Sequence, residues 1–164
     1  MDKLQLIKDK ILPIEELTRT VKRWQLKDEV VVFTNGCFDL LHVGHMEVIS
    51  KAASIGDKVI VGLNSDDSVK RLKGENRPIN NTEERAFALA ALHHVDAVIV
   101  FEEDTPANLI ELVAPDVLVK GGDWTEDKIV GAEFVKSNGG QVVSIELTEG
   151  YSSTDLINRI VKAN

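Results

Sequence analysis

The sequence predicts an α/β fold of the doubly wound, Rossmann-like type, built on a five-stranded parallel sheet. Five β-branched, apolar runs recur along the chain, and segments long enough for helices separate them. The runs do not alternate apolar and polar residues, which is typical of strands buried on both faces of a parallel sheet. They are Val30 to Thr34, Lys58 to Leu63, Ala97 to Phe101, Val117 to Lys120 and Gln141 to Ile145. Ligands of such folds bind at the carboxyl ends of the strands.

Capping signals predict helices between the later runs. The helices open at Asn81 or Thr82, at Thr105-Pro106 with proline as the first helical residue, and near Thr125. Gly139-Gly140 ends the last of these three.

The residues before the first strand, 1–27, predict a helical extension of one or two amphipathic helices. Apolar residues are spaced there for a single stripe: Leu4, Ile7, Ile11, Ile14, Leu17 and Val21. We expect this extension to serve packing or dimerisation, and residues 28–164 to form the main domain.

Composition narrows the class of protein. A chain of 164 residues with 43% hydrophobic residues is sized for one globular domain. A charged N-terminus, the lack of a long apolar stretch and a single cysteine, Cys37, predict a protein of the reducing cytoplasm. The net charge of −8 disfavours nucleic acid and anionic membranes as partners. Any anionic ligand therefore needs a local cluster of donors.

The strongest motif is the segment from Thr34 to His45, TNGCFDLLHVGH, which leaves the first strand and enters a helix. Gly36 allows the backbone close to a ligand, and a helix that starts near Gly44 offers free N–H groups to a phosphate. His42 and His45 can then donate hydrogen bonds to a phosphate undergoing displacement. The alternative is a core histidine beside a simple turn, but two histidines around a glycine at such a turn favour function.

The same region allows two further interpretations. Asp39, His42 and His45 could form a metal site with two histidines and one carboxylate, which ranks below phosphate chemistry because no further ligand cluster appears. Asp66 and Asp67 follow the second strand, where a dehydrogenase binds ribose, but the first turn lacks the GxGxxG pattern. Cys37 lies at a turn where a thiol pKa can fall, and no partner cysteine follows it.

Three other segments predict contacts to anions. A basic segment contains Arg71, Lys73 and Arg77 and predicts a flexible loop that closes over pyrophosphate, the alternative being ordinary surface charge. Lys120 ends the fourth strand just before two glycines. The block Gly150-Tyr151-Ser152-Ser153-Thr154 precedes the last helix and can cap it while offering N–H groups to an anion.

These motifs carry a resemblance to a known family. GCFDLLHVGH resembles the signature of the HxGH nucleotidyltransferase superfamily, which includes cytidylyltransferases. Four further blocks in the same order, LNSDDSVKRLKGENRPIN, FEEDTP, LVKGGDW and TEGYSSTDLI, are similar to the adenylyltransferase domain of ADP-heptose synthases. The resemblance covers roughly residues 28 to 162.

The resemblance implies transfer of AMP from ATP to D-glycero-D-manno-heptose 1-phosphate, with Mg²⁺ bound through the triphosphate. It implies catalytic roles for His42, His45 and Lys120, and a site-facing arginine at Arg85. The implied nucleotide-binding residues are Thr34, Asn35, Gly36, Cys37, Phe38, Gly44, Gly121, Asp123, Trp124, Gly150, Ser152, Ser153 and Thr154. A homodimer and a separate heptose kinase as pathway partner are also expected.

Two alternatives stay open from the sequence. A CTP-dependent cytidylyltransferase acting on glycerol 3-phosphate or a similar phosphorylated alcohol would use the same mechanism, although the KGGDW and KRLKG blocks argue against it. A nucleotide-binding sensor without catalysis would keep the fold, although the intact HVGH motif, Lys120 and the Ser-Ser-Thr block argue against it.

Overall fold

The computed structural model describes residues 2–122, 124–147 and 150–163. Five strands form one parallel sheet in the order β3-β2-β1-β4-β5. They are β1 (Val31–Gly36), β2 (Lys58–Asn64), β3 (Ala97–Phe101), β4 (Val117–Gly121) and β5 (Gln141–Ile145). The predicted fold class is confirmed, and each strand lies within a residue or two of its predicted apolar run.

Eight α-helices and one 3-10 helix connect the strands within the described residues. They are α1 (Lys3–Lys8), α2 (Ile14–Gln25), α3 (Val43–Ala53), α4 (Asp66–Lys73), α5 (Thr82–Ala90), α6 (Ala107–Val113), the 3-10 helix Glu126–Lys128, α7 (Ala132–Ser137) and α8 (Ser153–Lys162). Asn81 caps α5 in a capping box with Glu84, as that segment predicts.

Three local predictions differ from the structure. Pro106 is the N-cap of α6 rather than its first helical residue. The helix expected from Thr125 is broken into the short 3-10 helix and α7, because Gly131 adopts a φ of +86° between them. The basic segment begins as helix rather than loop, since α4 runs to Lys73.

Two layers of helices cover the sheet. On one face, Val48, Ile49 and Leu89 of α3 and α5 pack against β1, β2 and β3. On the other face, Leu17 and Ile110 lie in the cluster that α2, α6 and α7 form against the sheet. The core is therefore divided by the sheet, and the carboxyl ends of the strands stay free to carry a site.

The N-terminal helices wrap around the outer edge of the sheet. Ile11 pairs with Val98 of the edge strand β3. The Leu12 amide donates to the Val98 carbonyl, and the Val98 amide donates to the Lys10 carbonyl. Ile7 of α1 packs on one face, whereas Leu17 of α2 is buried on the other. The predicted packing role thus has a concrete form, which is to cover an edge that would otherwise offer free hydrogen bonds. The predicted boundary at residue 27 stays a prediction.

None of the helices in the described parts of the chain is long and apolar enough to cross a membrane.

Candidate active site

The site lies where β1 and β4 separate. β1 pairs with β2 along its whole length, but with β4 only at Val32 and Phe33. Beyond that point the two strands leave a crevice at their carboxyl ends. The ammonium of Lys120 on β4 reaches across it and donates to Oδ1 of Asn35 on β1, at 3.5 Å.

A cavity of about 460 Å³ opens from this crevice. Six of its lining residues were predicted for the site: Asn35, Gly36, Cys37, Lys73, Lys120 and Trp124. The remaining ones were not: Asn64, Leu72, Asp104, Thr105, Pro106, Lys128, Ile129 and Val130. Among the described residues, three lysines and a single carboxylate line this cavity, so this lining is cationic although the chain carries a net charge of −8.

The two predicted histidines meet at the start of α3. His42 is the N-cap residue, and its imidazole stacks on that of His45 with ring centroids 3.7 Å apart and 24° between the planes. The ring of Phe38 lies against His45 from another side, at 5.0 Å between centroids. The backbone at Gly44 passes close beneath the His42 ring, which a side chain there would crowd.

Both imidazoles are held in the neutral form. Burial lowers the pKa of His45 to about 4, with additional lowering from His42 and Lys73. Burial and the charge of Lys73 also lower the pKa of His42. Nδ1 of each ring is buried without a hydrogen-bond partner among the described residues. In the tautomer that carries its proton on Nε2, each neutral ring can donate a hydrogen bond to a ligand.

Lys73 connects the histidine pair with the cavity. It lines the cavity, and its charge acts on His42, His45 and Cys37. Burial raises the pKa of the Cys37 thiol in spite of the lysines near it, so the fall in thiol pKa that the turn suggested does not occur. Burial also lowers the pKa of Lys120. An anion that bridges the histidines and the cavity would meet both ammonium groups.

Asp39 cannot serve as a metal ligand in this arrangement. Its side chain is fully buried, and its carboxylate accepts hydrogen bonds from the Arg77 side chain and from the amides of Ile79 and Asn80. The described residues contain no group of three His, Cys, Asp or Glu placed to hold an ion. The Asp39 carboxylate thus fixes the loop after α4 and does not join His42 and His45 in one group.

The three arginines of the basic region have different surroundings. Arg71 pairs with Asp104, and its guanidinium also donates to the Glu102 carbonyl. Arg77 pairs with Asp39, while one of its terminal nitrogens, Nη2, is buried without a partner among the described residues. Arg85 is only 1% exposed and donates five hydrogen bonds within the protein. The expectation that Arg85 faces the ligand, or forms a surface salt bridge, is corrected by this burial.

The start of α8 lies beside the histidine turn. Ser152 caps α8 by accepting from the Asp155 amide, and Ser153 donates to the carbonyl of Leu40 at 3.2 Å. Cβ of Tyr151 would lie 3.8 Å from a Cβ built on Gly44. Gly150 has a φ of +87°, which lets the chain turn into the helix. The first turn of α8, with Thr154, therefore adds a second helix N-terminus near that of α3.

Three other residues that the sequence predicts for the site are Thr34, Gly121 and Trp124. Thr34 is buried within β1, so it reaches a ligand through its backbone at most. Gly121 ends β4, where a Cβ would lie 2.7 Å from Val48. Trp124 is 47% exposed and donates from Nε1 to the Gly121 carbonyl. Asp123 lies outside the described residues.

This chain therefore has the fold of a nucleotidyltransferase domain, with a candidate phosphate site at the carboxyl ends of its strands. Neutral histidines, two helix N-termini and the three lysines that line the cavity all favour a phosphate chain. A family model described as cytidylyltransferase-like matches residues 33–159. The chain belongs to the cytidylyltransferase-like family, as the HVGH resemblance predicted.

Similar proteins from several bacteria carry the name Bifunctional protein HldE. The protein of Helicobacter pylori (strain Shi470) is 53% identical over 151 residues, which are 92% of this chain and 31% of that protein. The protein of Geobacter sulfurreducens is 52% identical over 154 residues, 94% of this chain and 31% of that protein. The Gluconobacter oxydans protein is 49% identical over 153 residues, 93% of this chain and 32% of that protein. The chain spans about a third of the length of these curated relatives.

A solved structure has the same fold. The crystal structure of the lipopolysaccharide core biosynthesis protein from Thermoplasma volcanium GSS1 matches with a TM-score of 0.59 and 27% sequence identity. The match covers 76% of this chain and 99% of that one.

The residues that sequence reasoning missed belong to two walls of the cavity. Asn64 ends β2, and the segment Asp104 to Pro106 follows β3, so the rule that ligands bind at carboxyl ends of strands would have found them. Lys128, Ile129 and Val130 lie in the segment predicted as one continuous helix, and no local signal marked the break that brings them to the cavity.

Proposed function

We propose that this chain is an adenylyltransferase that transfers AMP from ATP to D-glycero-D-manno-heptose 1-phosphate and releases pyrophosphate. The observation that carries the proposal is the pair of stacked, neutral imidazoles at the start of α3, adjoining a cavity lined by lysines. The resemblance of the HVGH, KGGDW and SSTDLI blocks, and 49% identity to a bifunctional HldE protein, support this choice of nucleotide and acceptor.

The chemistry is an in-line displacement at phosphorus. An oxygen of the sugar phosphate forms a bond to the α-phosphorus of ATP, and the bond from that phosphorus to the oxygen bridging the α- and β-phosphates breaks. The bonding electrons leave with pyrophosphate, so no protein nucleophile is required. His42 and His45 donate from Nε2 to the phosphate oxygens on which negative charge increases.

The cavity fits the acceptor in this proposal. Its ammonium groups, on Lys73, Lys120 and Lys128, suit the anionic end of a sugar phosphate. Hydroxyl groups of the sugar find polar partners in Asn35 and Asn64, and Trp124 offers an apolar face. The triphosphate would then lie along the N-termini of α3 and α8, outside the cavity.

Magnesium would accompany ATP in this reaction. Asp39 and Asp104, two carboxylates near the site, are already paired with arginines, and the described residues contain no carboxylate set placed to hold the ion. A metal carried by the triphosphate fits such a site, and when bound it would neutralise charge on the leaving pyrophosphate.

We also propose a pathway partner, an oligomeric state and a cellular location. A kinase that phosphorylates the anomeric oxygen of the heptose must supply the acceptor, and we include a heptose kinase activity as pathway partner. A homodimer and a cytoplasmic location, where ATP is available and Cys37 stays reduced, are further parts of the proposal.

The test is pyrophosphate release with magnesium, offering ATP or CTP against heptose 1-phosphates, glycerol 3-phosphate and phosphocholine. We expect release only with ATP and a heptose 1-phosphate. Release with CTP and an alcohol phosphate would replace the proposed substrates by those of a cytidylyltransferase. ATP binding without release for any pair would favour the sensor instead.

A further inference from the structure

Arg85 is buried and offers almost no surface to a ligand, yet its side chain bonds the ends of β1 and β2 and the start of α4. We propose that Arg85 is a positioning residue that fixes the histidine turn relative to α4, the helix that carries Lys73. Its kinetic readout rests on the proposed function, whereas its spectroscopic readout does not. Arg85 holds the backbone that carries the nearest catalytic groups, His42 and His45. Its role is therefore to position the histidines, whereas the histidines themselves contact the ligand.

On one side, Arg85 ties two strand ends together. Its Nη1 donates to the carbonyl of Cys37, which follows β1, and to the carbonyl of Asn64, which ends β2, both at 2.7 Å. Cys37 and Asn64 both line the cavity. The bridge therefore sets the width of the site between the histidine turn and the second strand.

On the other side, Arg85 anchors the start of α4. Its Nη2 donates to Oδ1 of Asp66 at 2.7 Å and to Thr82 at 3.2 Å, and the Asp66 amide donates to the same Thr82 hydroxyl. α4 begins at Asp66 and ends at Lys73. Because a helix is stiff over two turns, holding its start fixes where Lys73 enters the cavity.

A third contact of Arg85 links it to Asp39 through Asn80. Nε of Arg85 donates to the carbonyl of Asn80 at 3.0 Å, and the Asn80 amide and side chain donate to Asp39. Asp39 stands three residues before His42. Arg85 thus holds the turn on both sides, directly at Cys37 and through Asn80 at Asp39.

The chemistry of the residue supports a geometric role. A buried guanidinium is costly, and an apolar side chain of similar volume often gives equal or greater stability. All five N–H groups of Arg85 are used, in a planar arrangement that a lysine with one nitrogen cannot reproduce. The arrangement therefore specifies distances between segments rather than adding stability.

The test compares Arg85→Lys with Lys73→Met by NMR titration of the His42 and His45 side chains and by pyrophosphate release. Lys73→Met removes the nearby charge, so it gives the pKa change expected when that ammonium is lost. In Arg85→Lys we expect the pKa values of His42 and His45 to rise, as in Lys73→Met, because Lys73 is no longer held beside them. We expect kcat to fall about 10- to 100-fold, with the KM for ATP changed less than about threefold.

Two further variants keep the inference testable if Arg85→Lys does not fold. Thr82→Val removes one acceptor of Nη2 and of the Asp66 amide, and we expect a smaller change of the same kind. Arg23→Lys on α2, where the arginine bonds Thr20 far from the site, is the matched control and should leave both readouts unchanged. A wild-type histidine titration in folded Arg85→Lys would overturn the inference, and so would one in Thr82→Val where Arg85→Lys does not fold. Absence of pyrophosphate release in the wild-type protein would count against the proposed function alone.

Discussion

A Cβ placed on Gly44 would lie 3.2 Å from both Cε1 and Nδ1 of the His42 ring, so the glycine gives the imidazole its position over the backbone. Such a contact is tighter than ordinary van der Waals packing, and the ring would have to move by a few tenths of an ångström. His42 in turn stacks on His45, so a shift of one ring disturbs the pair.

Gly44→Ala is therefore expected to separate stability from activity. Alanine favours helix over glycine by about 1 kcal/mol, so the free energy of unfolding should stay equal or rise slightly. The displaced His42 ring should lower kcat about tenfold or more. Urea unfolding and pyrophosphate release measure the two effects. Ser50→Ala, on the exposed face of the same helix, is the control, and an active Gly44→Ala protein would contradict the explanation.

Replacing either site histidine should remove transition-state stabilisation. We expect His42→Ala and His45→Ala each to lower kcat about 10²- to 10³-fold, the range for one lost donor to a developing oxyanion. The double variant should lose little more than the single ones, because the two rings act as a unit. His93→Ala, in an exposed histidine pair elsewhere, should behave like wild type. Additive losses in the double variant would show that the rings act independently.

The pH dependence of stability should carry the signature of His45. Its pKa is about 4 in the folded chain against an ordinary value of 6.5, so the unfolded chain takes up the proton first as the pH falls. The contribution of His45 is complete above pH 6.5 and is lost between that value and about 4, by at most about 3 kcal/mol. The lowered pKa of His42 acts in the same direction.

Urea unfolding from neutral pH to about pH 4.5 measures this loss. His45→Ala should show a flatter dependence than wild type, since the titrating group is gone. An equally steep dependence in His45→Ala would mean that other groups cause it.

The ion pairs of Asp39 and Asp104 should differ greatly in their effect on stability. Asp39 is fully buried against Arg77, so Asp39→Ala leaves an unpaired charge and should cost about 3–5 kcal/mol of unfolding free energy. Asp104 pairs with Arg71 at the surface, and Asp104→Ala should cost less than about 1 kcal/mol. Chemical denaturation of the two variants gives the comparison. Similar costs would contradict the structural role assigned to Asp39.

The strands and most helix starts were predictable because their signals are local. Apolar runs such as Lys58 to Leu63 have no polar alternation, and Asn81 with Glu84 forms the capping box that the residue types indicate. The helical nature of Lys70 to Lys73 was missed because basic residues suggested a loop. Ser65 caps that helix, and Val69 buries it in the core.

The candidate site was predictable only where its residues adjoin a strand. His42 and His45 stack on each other at the start of α3, and Lys120 at the end of β4 lines the cavity. The contacts of Arg85 join residues up to 48 positions apart, and no pattern along the chain encodes such pairings. The same limit applies to Lys128, which lines the cavity just before a helix break at Gly131, where a Cβ would lie 2.7 Å from Ile110.

The short pairing between β1 and β4 has a consequence for how such a domain can diversify. These strands share only two paired positions before they part, so the depth of the crevice is a property of the backbone. Exchanging side chains around that opening could suit it to a different phosphorylated metabolite without disturbing the sheet beneath. A few replacements of surface residues could then admit a new substrate. Closing the opening, in contrast, would require β1 and β4 to pair along more of their length.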